Sequence, residues 1–124
     1  MVQVTGIGGF FFRAEDPAAL AQWYETHFGI LQVPDDYDKP AWQQAAGTTV
    51  FAPFPKDTGM FGRPEQQFML NFRVADLAAA VDDLISAGIE VEVDPTTYPN
   101  GLFATLKDPE GNPIQLWEPQ GAEA

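Results

Sequence analysis

The chain has 124 residues, 45% of them hydrophobic and 13% aromatic, which suits one domain with an ordinary core. Eighteen acidic against six basic residues give a net charge of −12, which excludes the basic face that nucleic acid or an anionic membrane surface requires. Cysteine is absent, so disulfides, zinc ribbons and thiol nucleophiles are excluded too. The charge serves solubility first, and a field that attracts a cationic ligand is the sharper reading. No signal-peptide pattern opens the chain and no apolar run approaches the ~20 residues of a membrane span, so a cytoplasmic protein is expected.

An internal repeat organises the sequence. Phe12-Arg13-Ala14-Glu15-Asp16-Pro17-Ala18-Ala19 overlays Phe72-Arg73-Val74-Ala75-Asp76-Leu77-Ala78-Ala79, with Phe, Arg, Asp and both Ala matching. Each copy opens on a strand, 8–14 and 68–74. Each strand leads to an Asp suited to accept from the free amides of a helix's first turn, Asp16 before Pro17 and Asp76 before Leu77. Leu20, Trp23, Tyr24 and Phe28 make one apolar helical stripe, and Leu77, Ala80, Val81, Leu84 and Ile85 make the other. Gly29 and Gly88 stand where a left-handed residue would end each helix.

Short strands are predicted to follow each helix. In the first copy they fall at 30–33, about 41–46 and 48–54. In the second they fall at 90–94, 102–107 and 113–118, separated by the turns Tyr98-Pro99-Asn100-Gly101 and Asp108-Pro109-Glu110-Gly111-Asn112. A Pro- and Gly-rich segment, 53–66, joins the copies as a linker or lid. The sequence therefore predicts one α+β domain over 1–120, with modules of about 5–58 and 66–119 and a loose tail at 121–124. Two βαβββ modules would form a curved eight-stranded sheet around a cleft.

The turn and strand Asp108-Pro109-Glu110-Gly111-Asn112-Pro113-Ile114-Gln115-Leu116-Trp117-Glu118-Pro119 resembles the closing segment of the vicinal oxygen chelate superfamily. That superfamily includes glyoxalase I, extradiol dioxygenases and bleomycin-binding proteins. The first helix, from Ala19-Leu20-Ala21-Gln22-Trp23-Tyr24 to Phe28-Gly29, is similar to the family's. So is Phe72-Arg73-Val74-Ala75-Asp76-Leu77 with Ala87-Gly88-Ile89. The resemblance implies paired modules, a small-molecule cleft and a homodimer. In metal-dependent members it also implies His, Glu or Gln ligands at positions that fall here on Gly9, Phe51, Met69 and Gln115. Gly and Phe bring no donor atom and Met brings a soft thioether, so only Gln115 suits a hard divalent ion. No metal and no cofactor are therefore expected.

Alternate residues on a strand share a face. Phe11 and Arg13 share one, and Met69, Asn71 and Arg73 share the matching one. With Phe51, Phe103, Gln115 and Trp117 they form the predicted ligand-binding set, while Phe10 and Phe12 should pack against the helices. Arg13 and Arg73 could hold an anionic group by forked hydrogen bonds, or simply pair with Asp16 and Asp76. Trp42, Met60 and Phe61 could line a lid or a dimer contact. His27 is the single histidine and Ser86 the single serine, and neither has the neighbours of a catalytic group. The acidic run Asp35-Asp36-Tyr37-Asp38 lacks the Gly and closing Glu of a calcium loop. The expected function is metal-free binding of a small hydrophobic or aromatic molecule. The alternative is a metal-dependent lyase, isomerase or dioxygenase of the same superfamily.

Overall fold

The computed structural model describes all 124 residues. Helix α1 spans Pro17–Phe28. Asp16 caps it, its Oδ1 accepting from the Ala19 amide at 3.1 Å. Pro17 occupies the first turn, where its missing N–H costs nothing. Gly29 ends the helix at φ 67°, a left-handed conformation that a side chain would resist. Helix α2, Leu77–Ser86, repeats the design: Asp76 Oδ1 accepts from Ala79 at 3.0 Å, and Gly88 turns left-handed at φ 83° just past Ala87.

Around α2 stand β1 (Leu70–Arg73), β2 (Glu92–Val93), β3 (Gly101–Lys107) and β4 (Pro113–Pro119). They form one four-stranded sheet in the order β1-β4-β3-β2. β1 runs parallel to β4, with Leu70 opposite Ile114 and Arg73 opposite Trp117. β3 pairs antiparallel with β4 over its whole length and with β2 at two positions. The second copy is thus one complete βαβββ unit, and its strands begin and end within two residues of most predicted limits.

Along β4 the side chains alternate between the core and the opposite sheet face. Ile114 and Leu116 on β4 are fully buried against the helices, and each contributes about 1.5–3 kcal/mol by burial. Leu77, Val81 and Leu84 of α2 and Leu20 and Tyr24 of α1 join the same cluster. An aromatic group carries α1 onto β1: Phe28 lies 5.5 Å from Phe72, Tyr24 6.3 Å from Phe72, and Phe12 5.6 Å from Phe68 (ring centroids).

The first copy departs from the predicted module. Its helix forms, but the predicted strands 8–14, 30–33, 41–46 and 48–54 form no ladder. Residues 1–15 and 31–54 make no main-chain to main-chain hydrogen bond at all. Extended chain becomes a strand only when its N–H and C=O groups find partners, and here they do not. Leu20 and Tyr24 are consequently the only buried residues before Gln66. The tail predicted to be loose forms a 3-10 turn over Gly121–Glu123, after the Gln120 amide donates to Asn100 O at 3.0 Å.

A side-chain network ties the halves together. Tyr24 Oη donates to Asp108 Oδ2 at 2.7 Å. Asn112 donates to the same oxygen from Nδ2 at 2.8 Å, while the amides of Glu110 and Asn112 donate to Oδ1 at 2.9 and 3.0 Å. Glu110 reaches back and accepts from the amides of Glu15 and Asp16 at 2.7 and 3.1 Å. Gln66, at the end of the linker, donates to Asn112 Oδ1 at 3.3 Å. Burial and the Asp108 carboxylate together push the Tyr24 hydroxyl well above the ordinary tyrosine pKa.

Candidate functional site

The large cavity, about 970 Å³, wraps the open edge of β1: the sheet face opposite the core bounds one side, α1 with Leu70, Phe72 and Val74 bounds the other, and the extended first-half segments close it. Twenty-three of its 34 lining residues are hydrophobic, so the space favours apolar matter. Its floor comes from β1, β4 and β3. Asn71 and Arg73 face it from β1, Gln115 and Trp117 from β4, and Phe103 from β3. Trp117 and Phe103 sit opposite each other in register with their ring planes parallel to 1° and centroids 6.3 Å apart. Trp117 is held by its indole N–H, which donates to Asn100 O at 2.9 Å. Tyr98 meets the edge of Phe103 at 5.7 Å and is itself fixed by its hydroxyl, which donates to Asp94 at 2.8 Å. That bond raises the Tyr98 pKa, while the Thr96 amide chiefly holds Asp94 below its ordinary value.

The polar groups on the floor are few and organised. Asn71 Nδ2 donates to Gln115 Oε1 at 2.7 Å, a cross-strand pair at facing positions. Their remaining amide groups offer one acceptor and further donors to a ligand. Arg73 donates to Ala45 O at 2.9 Å and to Ala46 O at 3.4 Å, fastening the first-half segment to β1. Arg73 makes no ion pair with Asp76: the salt bridges of the chain are Lys39–Asp36 and Arg63–Glu65.

Six of the nine predicted ligand-binding residues line the cavity: Met69, Asn71, Arg73, Phe103, Gln115 and Trp117. Three do not. Phe11 and Phe51 are 94% and 87% exposed, and Arg13 is exposed as well. Phe10 and Phe12 line the cavity in their place. The alternation along the first segment is as predicted, but no ladder turns Phe11 and Arg13 inward. Phe12 does meet the helix, 6.4 Å from Tyr24. Trp42 and Phe61 line the cavity and Met60 stays exposed. Thr48 and Thr49 line it too, and no spacing in the sequence points to them. His27 lies against Trp23 near the end of α1, and Asp36 organises its own turn by accepting from the amides of Asp38 and Lys39.

The superfamily's metal does not fit these residues. Of its four inferred ligand positions Gly9 has no side chain and Phe51 points away. Met69 brings sulfur and Gln115 one amide oxygen already accepting from Asn71. The cavity lining contains no His, Asp or Glu, and no group of three such residues in the chain is placed to hold a metal ion. A divalent ion needs three or four nitrogen or oxygen ligands.

The glyoxalase-like domain family matches residues 9–117, and the chain belongs to that family, within the vicinal oxygen chelate superfamily. Its fold is the glyoxalase-like α+β fold. Solved structures share that fold at low identity. TnmS3, an antibiotic binding protein from Streptomyces sp. CB03234, superposes with a TM-score of 0.64 at 23% identity over 97% of this chain and 100% of that one. A glyoxalase family protein from Bacillus anthracis gives 0.54 at 22% identity over 82% and 84% of the two chains. A protein from the mobile metagenome of V. Pseudocholerae gives 0.63 at 15% identity over 95% and 97%. No curated protein matches the chain. No helix is long and apolar enough to cross a membrane.

Proposed function

We propose that the protein binds a small, largely aromatic molecule in this cavity without using a metal. The observation that carries the reading is the cavity itself: about 970 Å³, mostly apolar, with the Phe103–Trp117 pair and a few convergent polar groups on one rigid sheet face. That combination is the usual form of a small-molecule site. A structural neighbour that is an antibiotic binding protein supports it. Thermal melting against a panel of fused-ring aromatics tests it. A ligand present at about 100 times its Kd stabilises by about 2.7 kcal/mol, a shift of roughly 10 °C for a chain of this size. A panel without any shift, or stoichiometric nickel, zinc, manganese or iron in protein purified without chelator, would refute the reading.

The same proposal takes the functional unit to be a homodimer in which the extended first-half segments pair and the eight-stranded sheet is completed. The support is the unpaired main chain of 1–15 and 31–54, with Val2, Val4, Phe11 and Phe51 exposed along it. Such edges seek strand partners. Light scattering should return twice the 13.6 kDa chain mass, and a stable monomer at micromolar concentration would count against pairing.

A further inference from the structure

We infer that the cavity selects an aromatic acid: Arg73 receives the anionic end of the ligand, and the Asn71–Gln115 pair receives a second polar group on the far side of its ring. The inference rests on the proposed reading of the cavity as a small-molecule site and goes further by giving that molecule a charge and a direction.

The charge follows from what lines the cavity. The chain carries 18 acidic residues, yet none of them is among the lining residues, and Arg73 is the single charged side chain there. Arg73 is half-buried and has no carboxylate partner. Its two bonds go to the carbonyls of Ala45 and Ala46. Those carbonyls orient the guanidinium but leave its charge uncancelled, and they occupy only part of its N–H set. A ligand anion held by the guanidinium's fork of N–H donors would gain charge-assisted hydrogen bonds that the carbonyls do not use up. Arg13, the equivalent residue of the first repeat, lies outside the cavity, so there is one such position and not two.

The direction follows from strand geometry. Asn71 and Arg73 are alternate residues of β1, their backbones about 6.5 Å apart along one face. Gln115 stands opposite Asn71 and Trp117 opposite Arg73. A para-substituted aromatic acid with a hydroxyl or keto oxygen carries its two polar ends on opposite sides of the ring, as an anion site at Arg73 and an amide site at Asn71–Gln115 require. The acidic field of the whole chain opposes anions at long range, so a preference for an acid would have to come from Arg73 at contact distance. Gly47 guards the arrangement: a Cβ there would collide with Arg73 Nη1 and displace the guanidinium.

The test compares 4-hydroxy-1-naphthoate with its uncharged methyl ester by fluorescence titration at pH 7 and about 0.15 M salt. The acid is expected to bind about ten- to a hundredfold more tightly, the effect of a charge-assisted hydrogen bond. Arg73→Met should bring the ratio of acid to ester affinity down to about one. Gly47→Ala should shrink it by displacing the guanidinium. Equal binding of acid and ester by the unmodified protein, or an undiminished preference in Arg73→Met, overturns the assignment to Arg73 but leaves the small-molecule reading standing. Loss of both ligands in Arg73→Met would report a collapsed cavity, and Gly47→Ala then decides, an unchanged preference refuting the inference. Failure of both probes to bind the unmodified protein overturns the small-aromatic reading and this inference with it.

Discussion

Replacing Tyr24 by Phe tests the joint between the two halves. The substitution deletes one hydroxyl from the buried network and little volume. Asp108 keeps three of its four donors, the Asn112 side chain and the amides of Glu110 and Asn112. A hydrogen bond to a charged group is worth about 1.5–3 kcal/mol. Because Asn112 still satisfies the oxygen that Tyr24 served, the middle of that range, about 2 kcal/mol, is expected. Unfolding entropy of about 2.1 cal/mol/K per residue then puts the loss in Tm near 8 °C for 124 residues. The pH dependence carries a second signature. An unfolded tyrosine releases its proton near pH 10, whereas burial and Asp108 hold the proton on folded Tyr24 to higher pH. Above pH 10 the unfolded state therefore binds fewer protons than the folded one, and stability falls as pH rises. The Phe variant lacks this loss, so the gap between the two proteins should close by up to about 1.4 kcal/mol per pH unit beyond pH 10. Calorimetric melts from pH 7 to 11 measure both effects. A Tm difference below about 2 °C at pH 7, or a gap that stays constant through pH 11, would refute the reasoning.

Gly101 adopts φ 147°, and a Cβ there would meet Glu118 O and the Trp117 indole, so Gly101→Ala should lower stability by about 3 kcal/mol or more, read from a urea midpoint at unchanged slope. Asp76→Ala removes the acceptor for the Ala79 amide and should cost about 1 kcal/mol; Glu118, which accepts from the Leu77 amide at 2.9 Å, limits the damage, so adding Glu118→Ala should cost more than either change alone. Glu110→Ala frees the amides of Glu15 and Asp16, and hydrogen exchange at those two positions should accelerate while exchange in β3 and β4 stays slow.

The second copy was legible because its signals are local and agree. Asp76 and Gly88 bracket α2, alternating apolar residues mark β4, and the turn at 108–112 fixes how β3 meets β4. Period-two counting placed Asn71, Arg73, Gln115 and Trp117 on one face, and the parallel register of β1 with β4 sets them side by side. In the first copy the helix was equally legible, from Asp16 to Gly29, because a helix satisfies its backbone within itself. Its strands were not, because a strand's hydrogen bonds belong to another segment. Nothing in the residues around Phe11 or Phe51 names such a segment. Without a ladder, alternation still separates odd from even positions but no longer decides which set turns inward, and so Phe10 and Phe12 line the cavity while Phe11 and Arg13 do not.

The same distinction explains why Arg73 was half-read. Its place on the strand face shared with Asn71, beside Gln115 and Trp117, follows from strand period. Its partners do not: a sequence offers Asp76 nearby, whereas the fold brings Ala45 and Ala46 from more than twenty residues away and presents carbonyls instead of a carboxylate. A local carboxylate would have neutralised the guanidinium and made Arg73 a structural residue. Carbonyls fix its direction and leave its charge, and that difference turns a residue of the scaffold into one that can discriminate between ligands. The Tyr24–Asp108 bond, 84 residues apart in sequence, is the structural counterpart. There the carboxylate is saturated by four donors and turned away from chemistry, so the one buried acid of the chain serves the fold while the one charge facing the cavity is positive.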